Sequence, residues 1–360
     1  MDVQVLTEAG QLDALKPEWD ALLAASARPR PSLMHEWMTT SARHFGDARR
    51  QFAVCVRDGG RLVAIAPFRE ALWRIAGVPV MRRLEFAVEV ADCRDVIVES
   101  GSEWRAIETL TEWVKAECPR WHIVRLRGLC SRSPTHDFIP LVANQSGLLT
   151  SAFRTAPCAN IDLPSSMDDF LKEMPGQRRR RVYAQNGRKL AREHGELVLR
   201  VLSGSEVTPA DLNRLCDLHR SAWSARGGSG VLDERFCHFL ADLSAVAAPK
   251  GQPVVAFLRL GDRDIAAQYG FLLGGRFFLF VVGFDAEYAS YSIGAQSLLA
   301  LVQYGIEHGW TEIDLMKGGE RYKFDFTRRC CRATDVWIAR SSARLRAASA
   351  VAALRGQLCS

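Results

Sequence analysis

Two short stretches carry residue types from which chemistry could be built. In YSIGAQSLLALVQYGIEHG (291–309) a loop of small residues runs straight into an apolar-striped helix. The first amides of a helix have no intrahelical partner, and the macrodipole favours negative charge beside them. Ser292, Ile293, Gly294, Ala295, Gln296 and Ser297 therefore mark either an anion site reached at the backbone or a helix start packed tightly against a neighbour. Neither GxxxxGKS/T nor GxGxxG occurs, so this is neither a P-loop nor a dinucleotide fingerprint. The second stretch, DLMKGGERYKFDF (314–326), brings Asp314, Glu320, Tyr322 and Lys323 close together in the chain. Upstream, His219, Trp223 and Arg226 fall at i, i+4 and i+7 and so share one helix face. A histidine titrates near neutrality and can act as a base, although a lone helical histidine is more often structural. Tyr288 and Tyr291 flank the small-residue loop, where they line a pocket or merely pack, and Asp285 caps the turn before them.

Certain elements must hold these groups. Leu298, Leu299, Leu301, Val302 and Ile306 form a stripe at helical spacing over 294–308, and Gly309 ends that helix. Before it, GGRFFLFVVGF (274–284) has the β-branched and aromatic density of a buried strand; after it, residues 312–315 alternate as a short one. Ser166 with Asp169 resembles a capping box for a helix at 165–174. LCDLHRSAWSARGGSGVLDERFCHFL (215–240) predicts two helices broken by a glycine-rich loop. The same order of elements occurs earlier. FAVCVRDGGRLVAIAPF (52–68) and VVAFLRLGDRDIAAQYGF (254–271) both read as hairpins, and residues 104–128 and 294–318 both read as helix, break, strand. The chain is therefore expected to repeat one α/β unit, with residues 1–155 as one domain, 156–335 as a second and 336–360 as a basic tail.

Bulk properties narrow the class. A length of 360 residues suits two domains, and 48% hydrophobic with 24% charged residues is ordinary for a globular protein. No apolar run approaches the ~18 residues needed to span a bilayer, and the N-terminus lacks the basic and apolar regions of a signal peptide. Ten cysteines without a CxxC pair point to a reducing cytosol rather than to disulfides, and no metal is expected. Net charge is +6, unevenly spread: QRRRRVYAQNGRKLAREHG (177–195), which includes Arg180, holds seven Lys and Arg side chains against one glutamate. Such a run is either a solvated helix face or a contact for an anionic partner. The tail's Leu345, Val351, Leu354 and Leu358 form a weak stripe that either docks on the protein's own core or touches a membrane surface.

DLMKGGERYKFDF resembles the terminal motif of GNAT-like acyltransferases of the CelD/BcsL type, associated with cellulose and exopolysaccharide synthesis. ARPRPSLMHEW (27–37) and MRRLEFAVEVADCRDVIVESG (81–101) are similar to that family's N-terminal signposts. GQRRRRVYAQNGRKL, LHRSAW with ARGGSG, and GFDAEYASYSIGAQSLL follow its C-terminal domain in order. The family is itself similar to the Fem-type aminoacyl transferases. The resemblance implies an α/β (α+β) fold of tandem GNAT-like domains, each a mixed sheet flanked by helices. It also implies an acyl-CoA donor, probed first as acetyl-CoA, with its pyrophosphate on the amides of 293–297 and its arm between strands near 276–283 and 311–315. The loop has only Gly294 where the commoner GNAT pattern alternates glycines.

Acyl transfer of this kind needs a base for the incoming amine, a polarised thioester carbonyl and an acid for the leaving thiolate. On the resemblance, Glu320 and Asp314 are base candidates, Asp314 equally reading as a strand-end hydrogen-bond acceptor. Lys323 would bind acceptor phosphate or stabilise negative charge, and Tyr322 would protonate the thiolate or anchor in the core. His219, Trp223, Arg226, Tyr288, Tyr291 and Arg180 would face the acceptor. In the first half ESGSEW (99–104) stands where SIGAQ does, Glu99 would repel a pyrophosphate, and nothing matches ERYK, so that half is read as degenerate. The expected function is N-acylation of an amine, an amino sugar carried on a nucleotide or lipid, in exopolysaccharide or cell-envelope synthesis. The expected location is the cytoplasm or the inner face of the membrane, and nucleic acid is not an expected partner. A Fem-type transfer from aminoacyl-tRNA is the alternative donor chemistry, although no coiled-coil heptads are present; a non-catalytic GNAT-fold binding protein is a third reading.

Overall fold

The computed structural model describes residues 1–46, 51–117, 120–224, 228, 232–250 and 252–354. It divides into two compact units, Met1–Pro157 with Cys331–Ser360, and Cys158–Cys330. Residues 331–335, read from sequence with the second half, thus group with the first.

The first part of the chain runs β1 (Asp2–Leu6), α1 (Ala9–Ala14), α2 (Lys16–Ala25), α3 (His35–Phe45), β2 (Gln51–Asp58), β3 (Arg61–Ile75), β4 (Val78–Phe86), β5 (Ile97–Val98), α4 (Glu103–Ala116), β6 (Ile123–Cys130), α5 (Pro134–Gln145) and β7 (Leu149–Asp162). There follow α6 (Met167–Glu173), α7 (Gln177–His194), β8 (Leu197–Ser203), α8 (Pro209–Ser224), α9 (Glu234–Ala247), β9 (Pro253–Leu260), β10 (Arg263–Leu273), β11 (Arg276–Phe284), α10 (Ile293–Glu307), β12 (Glu312–Lys317), α11 (Lys323–Phe326), β13 (Cys330–Ala339) and α12 (Ser342–Leu354).

The internal repeat is present in the pairing. In the first unit β1, β2, β3 and β4 are antiparallel neighbours, and α4 crosses over to a parallel β6. In the second, β8, β9, β10 and β11 do the same, and α10 crosses over to a parallel β12. Each crossover helix buries an apolar stripe on its sheet, because a parallel partner can be reached only by a connection that must itself be packed. The predicted stripe of α10 is the one that packs: Leu298, Leu301 and Val302 meet Phe277, Ile313 and Leu315 in one core cluster. At Ser166 the hydroxyl accepts the Asp169 amide, so the predicted cap of α6 forms.

The chain crosses from the first unit to the second within β7, whose Cys158–Asp162 end pairs with β12. The returning β13 pairs with β6 in the first unit. Behind it, α12 turns Leu345, Ala348, Val351 and Ala352 onto Trp73, Met81, Ile123 and Trp337. Leu345 and Val351 of the tail's stripe are therefore docked on the first unit, where the two indoles are fully buried; the Leu354 side chain and Leu358 lie outside what is described. Among the described residues no helix is long and apolar enough to cross a membrane.

Candidate active site

The second unit is built around a fork. β11 and β12 pair over Arg276–Phe278 and Glu312–Asp314 and then part. Past that point β11 keeps β10 on one side, but among the described residues no strand pairs with its other edge. Within the same stretch Tyr269 opposes Val281 and Gly270 opposes Leu279, so Phe280 is an extra, bulged residue. A bulge bends its strand and re-aims the following peptides.

The mouth of α10 lies beside the end of β11. A short 3₁₀ segment, Ala286–Tyr291, leads in, capped by Asp285, whose carboxylate accepts the Glu287 amide. Ser292 then takes a left-handed conformation (φ 57°), and the Ala295 and Gln296 amides bond back to its carbonyl. Ile293 and Gly294, one turn earlier, have no intrahelical acceptor, as at any helix start. A Cβ built on Gly294 would come no nearer than 3.7 Å, to the Phe284 ring. Packing therefore does not demand glycine there, and of the two readings open in the sequence the tight-packing one fails at this position. Ile293, Ala295 and Ser297 are buried, and Ser297 keeps its hydroxyl without a hydrogen-bond partner in the core.

The basic helix α7 lies against this mouth. Asn186 donates to the Ser292 hydroxyl (2.9 Å), and Gln296 donates to the Tyr183 carbonyl (2.6 Å). Lys189 stands 5.2 Å above the Tyr291 ring, and the Tyr291 hydroxyl donates to Glu193. Sequence reasoning saw this run as a charge block and missed Lys189 as a neighbour of the helix mouth; its spacing from Tyr291 exists only in the fold. Arg178, Arg181, Arg188 and Arg192 are exposed along the helix. Arg180 is turned instead to the Leu171 carbonyl, which ties α7 to the end of α6. Tyr288 is buried in a cluster with Ile293 and Ala266 rather than open to a cleft.

The DLMKGGERYK stretch forms a knot at the end of β12. Asp314 is buried and accepts the Met316 amide (2.9 Å). Met316 has φ 60°, a left-handed conformation that is costly for a side chain of its size. Lys323, buried at 5% exposure, directs its ammonium to the carbonyls of Lys317 (3.2 Å) and Met316 (3.5 Å) and to the Glu320 carboxylate (2.9 Å). Glu320 itself is largely exposed. Gly318 has φ 144°, a backbone conformation that side chains rarely adopt, and the Glu320 carboxylate lies where its Cβ would be. Tyr322 packs part-buried against the main core of the unit. Asp325, two residues past Lys323, accepts from the Tyr183 hydroxyl at 2.6 Å and so joins the knot to α7. Burial, with the Asp325 carboxylate second, pushes the Tyr183 hydroxyl well above the usual phenol range.

On the opposite helix layer, α8 presses on β11. A Cβ on Gly283 would lie 2.4 Å from the His219 backbone nitrogen. His219 is buried, with Nδ1 2.8 Å from the Val282 carbonyl, which makes Nδ1 the donor and leaves Nε2 unprotonated, with no hydrogen-bond partner among the described residues. Burial holds its pKa below the ordinary value. Trp223 packs near it, with ring centroids 6.0 Å apart, while Arg226 and most of the ARGGSG loop lie outside the described residues. The structure thus brings Asp314, Glu320, Tyr322 and Lys323 together at one strand end and 292–297 together at one helix mouth. His219 and Trp223 stand on a different element, against β11. Among the described residues no three His, Cys, Asp or Glu side chains are arranged to hold a metal ion.

Comparison with known proteins agrees with this architecture. Residues 177–324 match the family described as acetyltransferase (GNAT) domain. No curated protein matches the chain in sequence. Among solved structures, FemX superposes with a TM-score of 0.66 at 9% identity, over 94% of this chain and 98% of that one. The C-terminal domain of a putative lysylphosphatidylglycerol synthetase from Agrobacterium fabrum gives 0.56 at 13% identity, over 95% and 96%. L-PGS from Bacillus licheniformis gives 0.53 at 13% identity, over 92% and 93%. At such identities the likeness concerns the fold alone.

Proposed function

We propose that this chain, which carries a GNAT acetyltransferase domain and is an acyltransferase, moves an acyl group from acyl-CoA, acetyl-CoA first among them, to an amine. One observation carries the reading: β11 and β12 share three residue pairs and then part, leaving a strand edge unpaired among the described residues, beside the first turn of α10. An extended pantetheine arm can bond such an edge as an added strand does. The open amides of Ile293 and Gly294, with Lys189 nearby, suit a pyrophosphate.

In this reading the amine nitrogen attacks the thioester carbonyl, the C–S bond breaks, and the thiolate leaves. Glu320, the exposed carboxylate of the knot, takes the proton from the amine. Lys323 offsets negative charge and holds Glu320 in place, and Tyr322 returns a proton to the thiolate. Asp314 serves as the anchor of Met316. His219 and Trp223 shape the wall along β11. The resemblance to the CelD/BcsL type favours an amino sugar on a nucleotide or lipid carrier, and the exposed arginines of α7 offer contacts for its phosphate.

A second reading, transfer from aminoacyl-tRNA as in Fem-type enzymes, draws on the likeness to FemX and the same arginine row. Calorimetric titration with acetyl-CoA, repeated on Gly294→Glu, tests the first reading. Saturable binding that is lost in the variant supports it. Absence of binding to any acyl-CoA, together with RNA binding that weakens steeply with salt, would move the assignment to the second.

A further inference from the structure

We infer that the first unit carries a binding site of its own, for an organic ammonium ion. This goes beyond the acyl-transfer reading, which assigns that unit no ligand. Its counterpart of the α10 mouth is filled: Glu99 accepts from the Ser102 hydroxyl at the start of α4 and pairs with Arg61. The free volume lies at the other end of the same helix.

There a cavity of about 260 Å³ opens between the C-terminal end of α4 and the β1–β4 sheet. Three aromatic side chains wall it: Phe52 on β2, Trp113 on α4 and Trp121 just beyond. The Trp113 ring is fixed by stacking on Phe68, with 8° between planes, and sits edge-on to Phe52 with centroids 6.2 Å apart. Trp121 is buried beside it.

Charge decides the class of ligand. Glu70 on β3 and Glu117 at the end of α4 face Arg120 as the one guanidinium among the described lining residues. Arg120 pairs with Glu117 at 2.9 Å and feels the Glu70 carboxylate as well, so two carboxylates share one guanidinium and one negative charge is in surplus. The C-terminal end of α4 adds its own negative dipole to the same side. Aromatic faces with a carboxylate surplus attract a cation that has shed part of its water. The fitting ligand is a primary or quaternary ammonium on a small apolar or aromatic body.

The test is a titration of the full chain with phenethylamine, followed by calorimetry and tryptophan fluorescence, with 2-phenylethanol as the uncharged comparison. Phenethylamine is expected to bind saturably, and 2-phenylethanol at least tenfold more weakly. Glu70→Gln should weaken the amine tenfold or more while leaving acetyl-CoA binding as it was, and Glu117→Gln, whose charge Arg120 already offsets, should do so by less. Equal binding of the alcohol, an unchanged Glu70→Gln, or no saturable binding of the amine would each overturn the assignment.

Discussion

Asp314 and Lys323 grip the same residue from its two ends: the carboxylate accepts the Met316 amide, and the ammonium reaches the Met316 carbonyl. Nine positions apart in the chain, they hold one left-handed residue at the point where β12 leaves β11. Backbone strain of this kind persists only where neighbours over-determine it, and it gathers at functional sites. The pair thus shapes the end of the fork whatever further part either side chain takes in transfer.

Lys323→Ala should lower turnover about 100-fold or more, the range seen when one charge-stabilising donor is removed, while acetyl-CoA affinity changes by about twofold at most. Stability should drop by about 1–3 kcal/mol, since one buried and one part-buried carbonyl lose a charged donor. Steady-state kinetics beside calorimetry and urea unfolding separate these effects. Unchanged turnover would remove Lys323 from the mechanism.

Two glycines near the fork should behave oppositely. Gly294→Ala adds a methyl with only ordinary contacts, and unfolding should shift by under about 1 kcal/mol. Gly283→Ala drives a methyl into the backbone of α8 and should cost about 3 kcal/mol or more. Parallel thermal unfolding of the two variants checks the contrast, and equal losses would contradict the close approach of α8 to β11.

His219 gives a pH dependence of stability. Its folded pKa is depressed by burial, so the unfolded chain binds its proton more readily. The contribution is complete above the unfolded value of about 6.5 and is lost as pH falls through the folded pKa. His35 is depressed in the same sense, so the informative quantity is the difference between wild type and His219→Gln. Melting temperatures measured from pH 7.5 down to pH 5 should fall less steeply in the variant. Parallel curves would mean that His219 titrates alike in both states.

Tyr183→Phe removes the hydroxyl that joins α7 to the knot through Asp325. Part-buried neutral-to-charged hydrogen bonds of this sort contribute about 1–2 kcal/mol, so a loss of that size is expected. If α7 positions the donor, the apparent Michaelis constant for acetyl-CoA should rise together with that loss; a stability change alone would make the contact purely structural.

The sequence alone was sufficient for the elements and their repetition. Hairpins at 52–68 and 254–271, the α10 stripe, the cap at Ser166 and the crossover order all follow from local periodicity and turn chemistry, which act over a few residues. It was sufficient, too, for nominating Lys323 and the 292–297 turn, because unusual residue types stood close together there. What tertiary structure alone decided were relations between distant stretches. The return of β13 to β6, the docking of α12 on Trp73 and Trp337, Lys189 over Tyr291, and the Tyr183–Asp325 bond join residues up to about 280 positions apart. Strand pairing and burial select such partners by total packing, and no local pattern records which distant side chain will fill a given space.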